Sequence, residues 1–159
     1  MPATAADLQA VLALNESALP HVSSVTPDAL RGLVDQSCYV GVARINREIA
    51  GFLLALAPGQ DYQSLNYRWF AQHYASFVYI DRIVVADRYH GTGIGKMLYQ
   101  DVERCAPPDS KWLTCEVNLV PPNPGSLVFH RKLGFAEVGQ QDTEGGRKRV
   151  SLLAKPLTP

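Results

Sequence analysis

Residues 77 to 85 read FVYIDRIVV, an almost unbroken apolar run rich in β-branched and aromatic side chains. That is the pattern of a strand buried on both faces near the centre of a sheet. Upstream, CYVGVARIN alternates in strand fashion, Asn46-Arg47-Glu48 reads as a hairpin turn, and EIAGFLLALA as the returning strand. Two helical patterns precede them. Thr4 and Asp7 open the first over residues 4 to 18, with Leu8, Val11, Leu12 and Leu14 at helical spacing. The second opens with Thr26 as cap and Pro27 at the first helical position. After the central run, Ile94, Met97, Leu98, Val102 and Cys105 mark one face of a helix over 94 to 105, which Pro107-Pro108 ends. KWLTCEV is the next strand. NPGSLVFHRKLGF is a short helix capped by Asn123, with Pro124 first and Gly134 last. AEVGQQ and RKRVSLLAKPL form a closing hairpin across DTEGG. The spacing predicts one mixed α/β domain over residues 1 to 159.

Residues 58 to 75, PGQDYQSLNYRWFAQHYA, break this rhythm. They read as a Tyr-rich connection with one short helix at 65 to 73. Such a segment is either a binding wall or lid, or a flap that covers the core.

Composition narrows the function classes. Of 159 residues 47% are hydrophobic and 19% charged, and Lys plus Arg equals Asp plus Glu at 15 each. A net charge of zero argues against nucleic-acid binding driven by bulk charge. Three cysteines without a repeating spacing, Cys38, Cys105 and Cys115, make neither a disulfide framework nor a metal site. The N-terminal stretch carries Asp7 and Glu16, lacks a basic leader and is too polar to span a bilayer, so a cytoplasmic protein is expected. A homodimer is left open.

Gly91, Gly93 and Gly95 alternate where the central strand gives way to a helix. Glycine weakens a helix start, but it clears side chains from backbone amides that can hold a phosphate, and Lys96 adds a charge. The P-loop pattern fails: His90 stands at its first glycine and Met97 at its hydroxyl. The Gly-x-Gly-x-x-Gly dinucleotide pattern fails on spacing.

RYHGTG, through Arg88, Gly91 and Gly93, resembles the Arg/Gln-x-x-Gly-x-Gly/Ala motif of the GNAT superfamily of N-acetyltransferases, and HGTGIG fits two residues later with His90 in place of Arg or Gln. NPGSLVFHRKLGF resembles the family's second motif through Asn123, Ser126, Phe129, Lys132, Leu133, Gly134 and Phe135. His130 stands where the family usually has tyrosine. The resemblance spans about residues 77 to 136. It implies a GNAT-like fold, a central mostly antiparallel sheet of about six to seven strands flanked by about four helices, with a splayed parallel strand pair for the CoA arm. It implies acetyl-CoA as cofactor, with the pyrophosphate on the amides of residues 91 to 96, including Thr92 and Ile94. The pantetheine arm would run along Ile83 and Val85, with the thioester between IDRIVV and LTCEVN. It also implies a primary amine of a small molecule or peptide as acceptor, with no nucleic acid, membrane or metal involved.

Acetyl transfer needs a neutral amine, and an alkyl ammonium near pKa 10 is mostly charged at neutral pH. Glu116, in an otherwise apolar strand near its end, and Asp81 are the candidate bases, though either acid can instead pair with Arg82. The backbone N–H of Val84 or Val85 can polarise the thioester carbonyl. Asn118 and Asn123 orient the CoA arm or cap and turn the chain, and Ser126 and Phe129 share its motif. His130 is the candidate acid for the departing thiolate, its pKa lowered by burial and raised by a carboxylate such as Glu116. Tyr62, Tyr67, Trp69 and Tyr74 form a candidate aromatic wall for the acceptor. Cys115, beside Glu116, leaves a minor acyl-cysteine route. The histidine-for-tyrosine change keeps a non-catalytic CoA-binding regulatory module as the alternative.

Overall fold

A computed structural model describes residues 2–157. A 3-10 turn at Ala5–Asp7 leads into α1 (Leu8–Ser17), followed by α2 (Pro27–Gln36), β1 (Tyr39–Ile45), β2 (Glu48–Leu56), α3 (Leu65–His73) and β3 (Phe77–Val85). Then come α4 (Ile94–Cys105), β4 (Trp112–Val120), α5 (Pro124–Lys132), β5 (Ala136–Thr143) and β6 (Lys148–Pro156). The strands form one six-stranded sheet in the order β1-β2-β3-β4-β6-β5. The pairs β1–β2, β4–β6 and β5–β6 are antiparallel, and β3 runs parallel to β4 from Phe77↔Trp112 to Tyr79↔Thr114. The mixed α/β sheet expected from the sequence is present, with six strands and five α-helices rather than four. Among them, α3 is the short aromatic helix read at 65 to 73.

The chain divides into two compact units. One runs to Leu56 and includes Ile80–Pro107; the other holds Ala57–Tyr79 and Pro108 onward.

In the first unit, the β1–β2 hairpin turns on Asn46 and Arg47, both at positive φ (51° and 69°), the backbone a two-residue primed turn requires. Thr26 caps α2 as its sequence indicates, its side chain accepting from the Ala29 amide at 3.1 Å. The buried stripe of α4 is Ile94, Leu98, Tyr99 and Val102; Met97 and Cys105, expected on that face, are exposed. The stripe advances by four residues per step, and Tyr99 rather than Met97 lies beside it. Gly51 lets α4 approach β2, because a Cβ there would sit 2.9 Å from the Val84 carbonyl oxygen and 3.2 Å from Ile94.

In the second unit, α3 is not a free flap. Tyr67 and Phe70 are buried on β3: Tyr67 meets Phe77 and Tyr79 edge to face at 5.9 and 5.5 Å, and Phe70 meets Tyr79 at a tilt at 5.9 Å. Ser64 caps the helix, accepting from the Tyr67 amide at 3.2 Å. Gly139 in β5 makes room for the Trp69 indole, whose edge is 2.9 Å from where a Cβ would be.

Candidate active site

Two sets of residues carry chemistry, one in each unit. The first is the glycine loop. Val85 ends β3, Asp87–Tyr89 make one 3-10 turn, and α4 begins at Ile94. Gly91 and Gly93 have φ of 78° and 89°, which side chains resist, whereas Gly95 is already helical. Thr92 ties the loop to itself: its amide and hydroxyl both donate to the Tyr89 carbonyl, at 3.3 and 2.5 Å. The first helical hydrogen bond of α4 is from the Met97 amide to the Gly93 carbonyl, 3.0 Å. The amides of Gly93, Ile94, Gly95 and Lys96 therefore precede the ladder and meet no backbone acceptor among the described residues. These amides lie at the positive end of α4, and nothing lies within 4 Å of a Cβ placed on Gly91 or Gly93. Arg88 is held by Glu48 and lies over the Tyr89 ring at 5.0 Å. His90 is exposed and its Nε2 donates to the Val85 carbonyl at 2.8 Å, so that carbonyl, expected to face the CoA arm, already has a partner.

The second set lies on β4 and α5. β4 extends to Val120, which makes Glu116 its middle residue rather than a near-terminal one. Pro121 and Pro122 stop the strand later than the Val117-Asn118 step suggested. Glu116 is partly exposed, and the Tyr79 hydroxyl donates to it at 2.7 Å from one carboxylate oxygen and 2.9 Å from the other. Thr114, Glu116 and Asn118 share a face, while Cys115 is buried and points the opposite way, as alternation in a strand requires. The neighbour relation in sequence that drew attention to Cys115 thus places its thiol away from the carboxylate. Cys38 and Cys105 are exposed.

His130 is buried in the last turn of α5, 3% exposed. Its Nδ1 is 2.7 Å from the Ser126 carbonyl oxygen and 3.2 Å from the Ser126 hydroxyl. A carbonyl only accepts, so Nδ1 carries the proton and, in the neutral ring, Nε2 carries the lone pair. Burial pushes the imidazole pKa below its usual value, partly offset by the bond to the Ser126 carbonyl. The Lys-Leu-Gly-Phe ending holds the ring in place. Gly134, at φ 101°, donates to the Arg131 carbonyl at 3.0 Å, and Phe135 donates to the His130 carbonyl at 3.1 Å. That is a Schellman ending, and its apolar contact is Phe135 against His130, ring centroids 5.4 Å apart. Phe129 meets the same ring edge-on at 5.2 Å. Asn123 occupies the cap position of α5, but its side chain makes no capping bond; its amide donates to the Asn118 carbonyl at 3.2 Å.

A strand–loop–helix with four open amides, followed by a strand acid and an Asn-led helix ending in Leu-Gly-Phe, is the order shared with one family. The profile of the Acetyltransferase (GNAT) family matches residues 8–135. The chain belongs to the GNAT acetyltransferase family. It is accordingly an N-acetyltransferase, acetyl-CoA is its cofactor and an amine its acceptor. This favours catalysis over a non-catalytic CoA-binding module.

GNAT-fold structures superpose over nearly the whole chain. Ard1 from Thermoplasma volcanium has a TM-score of 0.80 at 14% identity, covering 100% of this chain and 97% of that one. The ribosomal-protein-S18-alanine N-acetyltransferase from Escherichia coli gives 0.72 at 17%, covering 100% and 93%. The NatC complex bound to Gag peptide and CoA gives 0.75 at 15%, covering 99% and 97%. Comparison with curated proteins gives no match.

The glycine loop of this GNAT protein fits its cofactor. Four N–H groups at a helix N-terminus without a backbone acceptor, beside two glycines with nothing within 4 Å of an added Cβ, suit a pyrophosphate, and Lys96 is exposed beside them. Asp81 is a poorer candidate for chemistry than Glu116. Its carboxylate is 2.7 Å from Arg82 Nε with both side chains 4% exposed, and Arg82 also donates to Asn15 and Ser23. The aromatic candidates belong to one connected ring network. Tyr62 meets Tyr67 at 5.6 Å, Trp69 stacks on His73 at 3.9 Å, and Tyr74 meets Trp112 at 5.3 Å. Tyr67 is buried core, its hydroxyl donating to the Ala57 carbonyl at 2.6 Å. Sequence reasoning missed Tyr79, because only the parallel register of β3 with β4 brings it to a carboxylate 37 residues away.

Among the described residues no helix is long and apolar enough to cross a membrane, and no group of His, Cys, Asp or Glu could hold a metal ion.

Proposed function

We propose that the protein acetylates a primary amine of a small molecule or a peptide by direct attack in a ternary complex. It acts as one acyltransferase domain spanning the chain, in the cytoplasm. The observation that carries this reading is the Glu116 carboxylate, a partly exposed acid in an apolar strand whose orientation is fixed by a tyrosine hydroxyl.

Bound acetyl-CoA supplies an acetyl group activated as a thioester. The amides of Gly93–Lys96, together with Arg88, His90, Gly91 and Thr92 of the same loop, hold the pyrophosphate end. Backbone groups of Ile83 and Val85 run beside the pantetheine arm, and the N–H of Val84 or Val85 polarises the carbonyl as its oxygen gains charge. Asn118, Asn123, Ser126 and Phe129 shape the arm's far end. Glu116 takes a proton from the acceptor ammonium, directly or through water, so that a neutral amine attacks; Asp81 is the second candidate for that step. Tyr62, Trp69 and Tyr74 border the acceptor. Release of free thiol from acetyl-CoA, measured against a panel of small primary amines and peptides with free N-termini, tests the reading. Turnover with none of them would favour the regulatory module. In the same preparation, acetyl-CoA at about 100 times its dissociation constant should add about 2.7 kcal/mol to folding stability, with no such gain from ATP or NAD.

His130 serves the leaving thiolate. With the Nδ1 proton committed to Ser126, donation from Nε2 requires the imidazolium. Burial lowers the pKa below 6.5, so that form is populated only on the acid side and is lost as pH rises through the shifted pKa. His130→Ala should therefore reduce kcat by about 10²-fold at low pH, with the deficit shrinking towards neutrality. His130→Tyr restores a phenol that keeps its proton to near pH 10 and should hold its rate through neutral pH. A His130→Ala variant with the parent's profile from acid to alkaline pH would assign protonation of the thiolate to solvent. Trp69→Ala should alter acceptor KM more than CoA affinity. An equal loss of both would instead mark Trp69 as packing for β5.

A further inference from the structure

Tyr79 is 1% exposed, and its neighbour on the same face of β3, Phe77, shows that a ring without a hydroxyl fills such a position. The hydroxyl of Tyr79 nevertheless reaches Glu116 and shares its proton between both carboxylate oxygens, at 2.7 and 2.9 Å. The ring itself has little freedom. Tyr67 of α3 packs edge-on against it at 5.5 Å, and Phe70 at a tilt at 5.9 Å. Tyr67 is fixed in turn, its hydroxyl donating to the Ala57 carbonyl and accepting from the Gln60 amide at 3.1 Å. The parallel register Tyr79↔Thr114 puts Glu116 two residues further along the same face of β4. A chain of fixed groups thus runs from the α3 insertion to the carboxylate.

We propose that Tyr79 is a positioning residue for acetyl transfer. Its hydroxyl sets the rotamer and aim of the Glu116 carboxylate, and the aromatic residues of α3 set Tyr79. An ionised carboxylate has about four lone-pair sites, so a single donor can orient it and still leave capacity for the acceptor's proton. A glutamate held this way loses its side-chain freedom before the amine arrives, and misplacement of a reacting group by about 1 Å can cost about 10²-fold in rate. The aromatic insertion then has a function apart from lining: it buttresses the base. This inference rests on Glu116 acting as base.

The test uses Tyr79→Phe, Glu116→Gln and the double variant, assayed with acetyl-CoA and the amine panel. Tyr79→Phe is expected to lower kcat by about tenfold or more while the acceptor KM and the calorimetric CoA dissociation constant stay within about twofold. In the Glu116→Gln background the same change should cost nothing further, because Tyr79 acts through that carboxylate. A label on the glutamate carboxyl carbons gives a readout independent of any acceptor. The signal lost in Glu116→Gln is Glu116, and Tyr79→Phe should move that signal and leave the other glutamates in place. If Tyr79→Phe fails to fold, 3-fluorotyrosine at position 79 keeps the ring and changes only the strength of the donor; it should move the Glu116 signal and kcat. A Tyr79→Phe enzyme with the parent's kcat beside an inactive Glu116→Gln overturns the positioning role alone. So does an unmoved Glu116 signal in either position-79 variant, or an equal further loss in the double variant. A Glu116→Gln enzyme as fast as the parent overturns the base assignment, and the positioning role with it.

Discussion

Replacing Gly93 with valine is expected to weaken CoA binding by about a hundredfold or more, roughly 2.7 kcal/mol, and to leave the chain folded. Gly93 caps α4 with φ at 89°, a conformation in which a β-branched residue is a true outlier. Two effects add. The side chain would project in front of the amides of Ile94, Gly95 and Lys96, where a pyrophosphate has to come close. The backbone would also relax away from the left-handed region, turning those amides from their present directions. The fold should survive because nothing lies within 4 Å of the added Cβ and the position is exposed. A left-handed non-glycine residue costs about 1–2 kcal/mol, which for a chain of this size lowers the melting temperature by only a few degrees. Gly95→Ala is the control. Gly95 is helical and has no positive φ, so its substitution adds bulk without strain and should bind CoA better than Gly93→Val. Calorimetry with CoA on the two folded variants reads the difference. Parent-like affinity in Gly93→Val would mean that the glycine serves helix packing alone.

Glu116→Gln is expected to lower kcat by about 10²-fold to 10³-fold at neutral pH, with CoA affinity unchanged. A positioned base contributes about 10²-fold to 10⁴-fold, and the amide that replaces it cannot accept a proton. The fold should be kept, since the amide oxygen of glutamine still accepts from the Tyr79 hydroxyl. The pH dependence has a definite sign. An alkyl ammonium has a pKa near 10 and sheds its own proton as pH approaches that value. The variant should therefore recover towards the parent as pH rises, because the acceptor no longer needs a base. Rates of thiol release measured from neutral to alkaline pH check this. A variant as fast as the parent at neutral pH would make Glu116 a structural acid paired with Tyr79.

Much of the fold could be read from local pattern. Thr26-Pro27 started α2, Asn46-Arg47 turned the first hairpin, and the spacing at 65 to 73, 77 to 85 and 94 to 105 gave elements with those bounds. Each of these depends on neighbours within a few residues, through caps, fixed φ values and the periods of helix and strand. The errors have a common cause. Met97 and Cys105 were placed on the buried face of α4 by hydrophobicity, yet which part of a helix is covered depends on what packs against it. β4 was ended at Val117, yet pairing with β6 carries it to Val120 opposite Arg149. Asn123 sits where a capping side chain belongs, yet the Asn118 carbonyl engages its backbone and no capping bond forms.

By itself, the sequence determined that a glycine-rich turn joins a central strand to a helix, and that an Asn-led helix ends in a Leu-Gly-Phe stop. Those are local statements about φ, amide donors and helix termination, and the family resemblance rests on them. It also placed His130 and Ser126 one helical turn apart, close enough for the hydrogen bond they make. Only the tertiary structure decided which groups each acid would meet. Asp81 pairs with Arg82, which also donates to Asn15 of α1 and to Ser23, whereas Glu116 came to Tyr79 through the register of two parallel strands. It also decided that Tyr67 and Phe70 of the aromatic segment are buried against Phe77 and Tyr79 of β3. Partners tens of residues apart meet only when strands pair and helices pack, and no periodicity in the chain encodes which of two carboxylates will pair with an arginine and which will meet a tyrosine hydroxyl.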